Sequence, residues 1–510
     1  MLNISQLLTR NAKYRPHHLA FIFKDKRLTY KEFNASVNRL CHAFDTIGIK
    51  KGDKVSTLLP NSFELYETYW ACAKTGAVCV PNSPMLRGAG LVNLLNDSDT
   101  KLLITNSSLV PYIEEVREEL SCQNFWVIDA DNIKGYSNYH QQKNCQVEDE
   151  PTRVEIDEND PYNIMYSSGT TGLPKGIVIS HKVRALYASL FANYFRMTPE
   201  SVVMHSGSIV FNGSFLTLMP VMLIGATYIL LDHFDAQEVT QVIEKEKVTH
   251  TILVPSQIIG CLGLKEFNQS NLQSIEYILS VGAPLLLEHK EELDKRAPNV
   301  FYELYGLTEG FMTVLDKTEF RKKAGSVGAP PQFMEIKIVD DEGNEKPTKQ
   351  IGEIIGKSPL LMTEYFKNPE KTKEAIKDNW LYTGDMGYLD EDGYLFLTGR
   401  KKDLIISGGV NVYPVDIEEV IAHHKAVKDV SVFGIEHKEW GETPIAAVIL
   451  KEGSTVTPDE IKKFANDNIE ARYQKVYDVY FIDELPRNVG GKILKRELKE
   501  QYLNKSIINN

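Results

Sequence analysis

Cysteine is scarce and unpatterned in this chain. Its six thiols, at Cys41, Cys72, Cys79, Cys122, Cys145 and Cys261, form no Cys-x-x-Cys and have no histidine at zinc-ligand spacing. That excludes a disulfide scaffold or a structural zinc module and favours a reducing, cytoplasmic compartment. Cys72 and Cys79 lie in an apolar stretch and read as small packed hydrophobes. A basic excess is also missing, the net charge being −12. Sequence-independent nucleic-acid binding and docking on anionic membrane both need positive surface, so both are disfavoured. An anionic substrate would need local lysines and arginines. No apolar run reaches membrane-spanning length, and the most apolar stretch, Leu216 to Leu231, is broken by Pro220 and Gly225. Met1-Leu2-Asn3-Ile4 starts no expected signal peptide, and Ile507 to Asn510 is no peroxisomal address. Tandem repeats and low-complexity tracts are not evident. What is present is an ordinary globular composition, 43% hydrophobic and 25% charged, over 510 residues. That length implies two or more domains.

The most informative segment runs Tyr166-Ser-Ser-Gly-Thr-Thr-Gly-Leu-Pro-Lys-Gly176. Glycines let backbone N–H groups approach phosphate oxygens, hydroxyls add donors or a metal ligand, and lysine brings a mobile positive charge. Apolar Ile164-Met165 before it and Ile177-Val178-Ile179 after it predict a loop joining two strands. A P-loop would run from Gly-Lys-Ser/Thr into a helix, whereas Lys175 here lies between Pro174 and Gly176.

Strand and helix patterns alternate through the first three hundred residues. Thr29 and Glu32 have capping-box spacing before a helix carrying Val37, Leu40, Phe44 and Ile47. Strands are predicted at Val55–Leu59, Leu102–Thr105, Phe125–Ile128, Tyr228–Leu231, Thr251–Val254 and Tyr277–Ser280. The last three sit at βαβ distances, which predicts an α/β fold with parallel sheets covered by helices. After Gly325 short strands dominate, and Asp390-Glu391-Asp392-Gly393 predicts a hairpin. The basic stretch Gly399 to Asp403 then precedes a compact α+β unit. Its first helix opens at Pro414 and Asp416, with Asp416 and Glu419 at capping-box spacing. These patterns predict a large N-terminal domain with parallel sheets and a β-rich subdomain, residues 1–399, then a small α+β domain, residues 403–510.

Further clusters carry more glycine and polar chemistry than packing needs. Ser280-Val-Gly282-Ala283-Pro284 ends a strand at the kind of edge where α/β proteins bind ligands. Tyr302-Glu303-Leu-Tyr305-Gly306-Leu-Thr308-Glu309 combines aromatic rings suited to a purine with a carboxylate suited to Mg²⁺. Tyr382-Thr-Gly-Asp385 offers a carboxylate for a ribose, and Pro486 to Ile493 sets Lys492 on a glycine-rich turn. Singly, these have ordinary explanations as a turn, a helix cap or a solvated charge. Together, in one order and at whole-domain spacing, they are no coincidence.

From about Leu28 to Leu498 the chain resembles the adenylate-forming (ANL) superfamily of acyl-CoA synthetases, carrier-protein adenylation domains and beetle luciferases. The resemblance is carried by Tyr166–Gly176, Tyr305–Glu309, Tyr382–Asp385, Gly399–Glu419 and Pro486–Lys492. It implies a C-terminal domain that is mobile about a hinge at 400–402, with Lys402 at the hinge position. It also implies two half-reactions: a carboxylate and Mg-ATP form acyl-AMP and pyrophosphate, then a thiol displaces AMP.

By the same resemblance, Ser167, Ser168, Gly169, Thr170, Thr171, Gly172 and Lys175 would bind the ATP phosphates, with Thr170 and Glu309 at the Mg²⁺. Gly282, Ala283, Pro284, Glu303, Tyr305, Gly306 and Thr308 would line the nucleotide. Asp385 would take the ribose hydroxyls with help from Arg400. Lys492 would be the catalytic lysine, bridging the acyl carboxylate and the α-phosphate. No general base is required in the first step, since a carboxylate is already ionised near neutrality. Alignment and charge stabilisation would carry it.

Ile405 to Pro414 resembles the acyl-CoA synthetase version of its motif, so Gly408 and Gly409 would admit the pantetheine arm of CoA, and Trp440 would lie near its nucleotide. One stretch departs from the family. Where many relatives have Phe-His, this chain reads Gly207-Ser-Ile-Val-Phe211-Asn212-Gly-Ser214, with Phe211 at the gate and Asn212 beside it. Phe211, Asn212, Val281, Gly306 and Met312 would line a mostly apolar acyl pocket. An AMP-forming acyl-CoA ligase for a medium or long fatty acid or an aryl acid is therefore expected. The alternatives are an acyl-AMP ligase loading an acyl carrier protein and a nucleotide-binding regulator without turnover.

Overall fold

The computed structural model describes residues 2–167, 174–469, 471–487 and 493–508. Two eight-stranded sheets dominate the N-terminal part. The first runs in the order Met312–Leu315, Phe301–Gly306, Tyr277–Val281, His250–Leu253, Val202–His205, Thr227–Leu230, Leu19–Phe23, Lys26–Thr29. The second runs Glu364–Tyr365, Lys175–Ser180, Pro161–Ser167, Val78–Asn82, Lys54–Leu58, Thr100–Thr105, Asn124–Val127, Ser137–Asn138. The inner strands of both are parallel, and antiparallel pairing is confined to the edges. Strands buried on both faces read as continuous apolar runs, which is why Tyr277-Ile-Leu and His250-Thr-Ile-Leu carry almost no exposed side chain.

The main core lies between these sheets and the helices Tyr30–Thr46, Phe63–Thr75, His181–Tyr194 and Phe215–Ile224. Phe21, Tyr66 and Tyr228 stack through it, with centroids 4.5 Å and 5.3 Å apart. The helix Tyr30–Thr46 starts where the spacing predicts. Thr29 Oγ1 accepts from Glu32 N–H, and the Glu32 carboxylate accepts from Thr29 N–H at 2.8 Å. Such a cap stabilises the helix by about 1 kcal/mol.

A five-stranded antiparallel sheet of Glu335–Val339, Gly352–Lys357, Trp380–Leu389, Ile376–Lys377 and Leu395–Arg400 follows. Trp380–Leu389 and Leu395–Arg400 form the predicted hairpin, with Gly393 at φ +81° in its turn.

The C-terminal residues build their own five-stranded sheet, centred on the long strands Val427–His437 and Gly441–Leu450, with Asp478–Phe481 parallel at one side. Its core comes from Ile405, Val412, Ile417, Ile421, Val432, Ala446, Val448 and Ile461, and Leu286 packs on it from the N-terminal part. One local expectation is overturned. Asp416 and Glu419 form no capping box; the helix Pro414–Ala422 has Tyr413 at its N-cap position, with no side-chain cap. Pro414 sets the first helical φ, so Asp416 falls inside the first turn.

Candidate active site

Asp385 stands in the middle of Trp380–Leu389 and is paired in register with Arg400 of the neighbouring strand. Arg400 Nε lies 3.0 Å from Asp385 Oδ1, and the Tyr305 hydroxyl donates to Asp385 Oδ2 at 2.8 Å. Tyr305 comes from a different sheet, at the C-terminal end of Phe301–Gly306. Burial, and then the Asp385 charge, push its hydroxyl well above the usual phenol range, so it stays a donor. Beside them opens a cleft of about 310 Å³ lined by Thr383, Gly384, Arg400, Lys401 and Lys402. Glu353 supports this rim. Its carboxylate accepts from Gly384 N–H at 3.2 Å and from Lys401 Nζ at 3.0 Å. Lys402 lies in the single turn Lys401–Asp403, and partial burial lowers its pKa.

The phosphate-loop segment does connect two antiparallel strands, Pro161–Ser167 and Lys175–Ser180, with Ser167 opposite Lys175. Ser168, Gly169, Thr170, Thr171 and Gly172 lie outside the described residues, as does Lys492. Glu309 sits in the turn after Tyr305-Gly306, which also carries the partly buried Thr308. One Glu309 carboxylate oxygen accepts from the Tyr365 hydroxyl at 2.7 Å. Of the two residues expected at the cation only Glu309 is described, and its carboxylate chemistry suits a hard cation. Glu309 Oε1 is held, while Oε2 makes no protein contact among the described hydrogen bonds and offers the oxygen ligand that Mg²⁺ prefers.

Gly282, at φ +96°, and Pro284 are exposed just past the end of Tyr277–Val281, with Ala283 partly buried between them. The placement at a carboxyl strand edge is the one expected for a ligand crevice. Glu303 is engaged in a buried ion pair. It is 4% exposed, with its carboxylate 2.5 Å from Lys290 Nζ of the helix Leu287–Arg296. Burial raises its pKa even beside that lysine. The pair ties the helix Leu287–Arg296 to the strand that carries Tyr305.

Around the expected acyl pocket, Gly306 is paired with Met312, and a Cβ on Gly306 would meet Met312 Cβ at 2.8 Å. Gly213, next to Asn212, approaches Val281, where a Cβ would lie 3.9 Å from Cγ1. Phe211 and Val281 are partly buried against the main core. Asn212 Nδ2 donates to the Tyr187 hydroxyl at 3.2 Å. Tyr187, fully buried on the helix His181–Tyr194, is thereby brought against Asn212, a contact that its apolar helical periodicity did not signal.

In the C-terminal unit Gly408 and Gly409, at φ +59° and +79°, turn the chain between Ile405–Ser407 and Val410–Val412. Gly408 N–H donates to the Trp440 carbonyl at 2.7 Å, and a Cβ at Gly408 would lie 2.8 Å from the indole. The Arg472 guanidinium sits over that indole, 5.6 Å from its ring centroid. Glycine turn, indole and cation thus come together from three separate segments.

Comparison with known proteins defines the class. Residues 8–366 match the AMP-binding enzyme family, and residues 416–492 match the AMP-binding enzyme C-terminal domain. The chain belongs to this family and thereby to the adenylate-forming superfamily. It is 33% identical to long-chain-fatty-acid–CoA ligase FadD13 of Mycobacterium tuberculosis, over 98% of this chain and 99% of that protein. It is 30% identical to a feruloyl-CoA synthase of Amycolatopsis, over 97% of this chain and 98% of that protein. Among solved structures, ATP-bound MatB of Rhodopseudomonas palustris superposes with a TM-score of 0.91 at 27% identity, covering 98% of this chain and 99% of that one.

Proposed function

We propose that this protein is an AMP-forming acid–thiol ligase that activates an apolar monocarboxylic acid with Mg-ATP and transfers the acyl group to CoA. The observation that carries the reading is the carboxylate of Asp385, oriented from two sides by Tyr305 and Arg400 beside an open cleft. In a chain of the AMP-binding family that carboxylate accepts both ribose hydroxyls. Tyr305, with Gly282, Ala283 and Pro284, flanks the adenine. Lys175, the hydroxyl loop and Glu309 hold the phosphates and Mg²⁺, which when bound offsets the charge of the pyrophosphate leaving group. The acid's carboxylate attacks the α-phosphorus, the bond to pyrophosphate breaks, and Lys492 stabilises the charge at the transition state. The thiol then attacks the acyl carbon and AMP leaves.

A separate core for 405–481 supports reading 400–402 as a hinge between domains 1–399 and 403–510. CoA is the acceptor favoured by the contact of Gly408 with Trp440, whose indole lies under Arg472. The long-chain-fatty-acid–, indoleacetate– and feruloyl-CoA enzymes among its relatives support an apolar or aryl acid. A relative named as a fatty acid–[acyl-carrier-protein] ligase, 29% identical, keeps a carrier-protein acceptor as the second reading. All six cysteines are free and five of them buried, which suits a reducing cytoplasm. No helix among the described residues is long and apolar enough to cross a membrane.

The test is mass spectrometry of products from the pure protein with Mg-ATP, CoA and pooled carboxylic acids. Acyl-CoA with AMP is the expected result. Acyl-AMP alone would shift the acceptor to a carrier protein, and release of neither product nor pyrophosphate would reject the ligase.

A further inference from the structure

The segment from Leu360 to Phe366 is bound by its main chain to two parts of the site at once. Glu364–Tyr365 pairs antiparallel with Lys175–Ser180, Tyr365 opposite Ile177. Thr363 N–H donates to Val178 O at 2.9 Å and Phe366 N–H to Gly176 O at 2.7 Å. On its other side Met362 N–H donates to Glu309 O at 2.8 Å. Gly310, at φ +109°, lies so close that a Cβ there would sit 1.9 Å from the Leu360 carbonyl oxygen. Backbone thus touches backbone, and the separation between the strand of Lys175 and the turn of Glu309 is set by this strap.

Tyr365 is the side chain that uses the arrangement. Its hydroxyl donates to Glu309 Oε1 at 2.7 Å, and Lys175 Nζ lies 4.8 Å from its ring centroid. A carboxylate with one oxygen tied has lost the rotation that would blur its other oxygen. An ammonium against an aromatic face is attracted by the ring's quadrupole and so stays close to it. Nothing in the phosphate-handling motif accounts for either contact.

Resting on the reading of Glu309 as a metal ligand and Lys175 as a phosphate-binding cation, we propose that Tyr365 is a positioning residue for the metal–nucleotide site. It fixes Glu309 through its hydroxyl so that Oε2 is presented to a divalent cation, and it aims Lys175 through its ring. The two functions reside in different atoms of one side chain, which makes them separable.

The test uses the full-length protein with Mn²⁺ as the metal probe. Mn²⁺ binding in the presence of ATP is followed by electron paramagnetic resonance, and ATP binding in EDTA by calorimetry. Tyr365→Phe keeps the ring and loses the hydroxyl. It should weaken Mn²⁺ binding about 10-fold, the usual cost of losing a partner that orients a metal ligand, while ATP binding in EDTA stays unchanged. Tyr365→Leu should also weaken ATP binding in EDTA. Wild-type Mn²⁺ affinity in Tyr365→Phe, or equal loss with and without metal, overturns the proposal. Glu309→Gln separates the causes. If it weakens Mn²⁺ and Tyr365→Phe does not, the positioning role alone fails. If neither does, the metal-ligand reading fails and the proposal falls with it.

Discussion

Asp385 and Arg400 face each other across one antiparallel strand pair, 3.0 Å apart, and the Tyr305 hydroxyl closes on the same carboxylate from a separate sheet. The pair joins Leu395–Arg400 to the strand that carries Asp385, so the orientation of the carboxylate depends on that strand pairing. Hydrogen bonds to a charged group contribute ~1.5–3 kcal/mol. Asp385→Ala should therefore raise the Kd for ATP by about 10- to 100-fold, measured by calorimetry without acid. Tyr305→Phe should lose less, since Arg400 still holds the carboxylate.

The second half-reaction should be separable from the first. Gly408 has no room for a side chain against Trp440 and a φ of +59°. Gly408→Val should displace the indole and raise the KM for CoA while acid-dependent pyrophosphate exchange persists. Lys492→Ala should do the converse, losing exchange but still forming thioester from supplied acyl-AMP. Equal loss of both reactions in either variant would reject the division of labour.

A buried ion pair governs stability far from this chemistry. Glu67, fully buried on the helix Phe63–Thr75, accepts from Lys143 Nζ at 2.9 Å and from the Tyr139 hydroxyl at 2.5 Å. Glu67→Ala strands a buried ammonium and should cost about 3–5 kcal/mol, read from urea unfolding. Replacing both partners, Glu67→Leu with Lys143→Met, should recover most of that loss.

Asp416 predicts a pH dependence. Burial, then the charge of Glu419, raises its carboxyl from 3.8 to about 6. Between those values the folded state holds a proton that the unfolded chain releases. The Asp416 contribution to stability is therefore complete below the window and is lost as pH rises through about 6. Asp416→Asn should flatten this part of the curve, and thermal unfolding across acid pH would reveal it. An unchanged slope would count against the raised carboxyl.

Local patterns were legible because they depend on neighbours in the chain. The Thr29–Glu32 cap, the Asp390–Gly393 hairpin, the parallel strands and the two-strand setting of the phosphate loop all follow from spacing and turn chemistry. The cap read at Asp416 failed for an equally local reason, since Pro414 starts the helix earlier. Residues whose role depends on distant partners were not legible. Glu303 and Glu309 are both carboxylates of one motif, yet one is buried on Lys290 and the other is held by Tyr365, fifty-six residues away. The sequence by itself determined the fold class, the family and the residues able to handle a nucleotide. Tertiary structure decided which of those carboxylates stays available and what orients it, because hydrogen bonds and ion pairs between distant strands leave no periodicity in the chain.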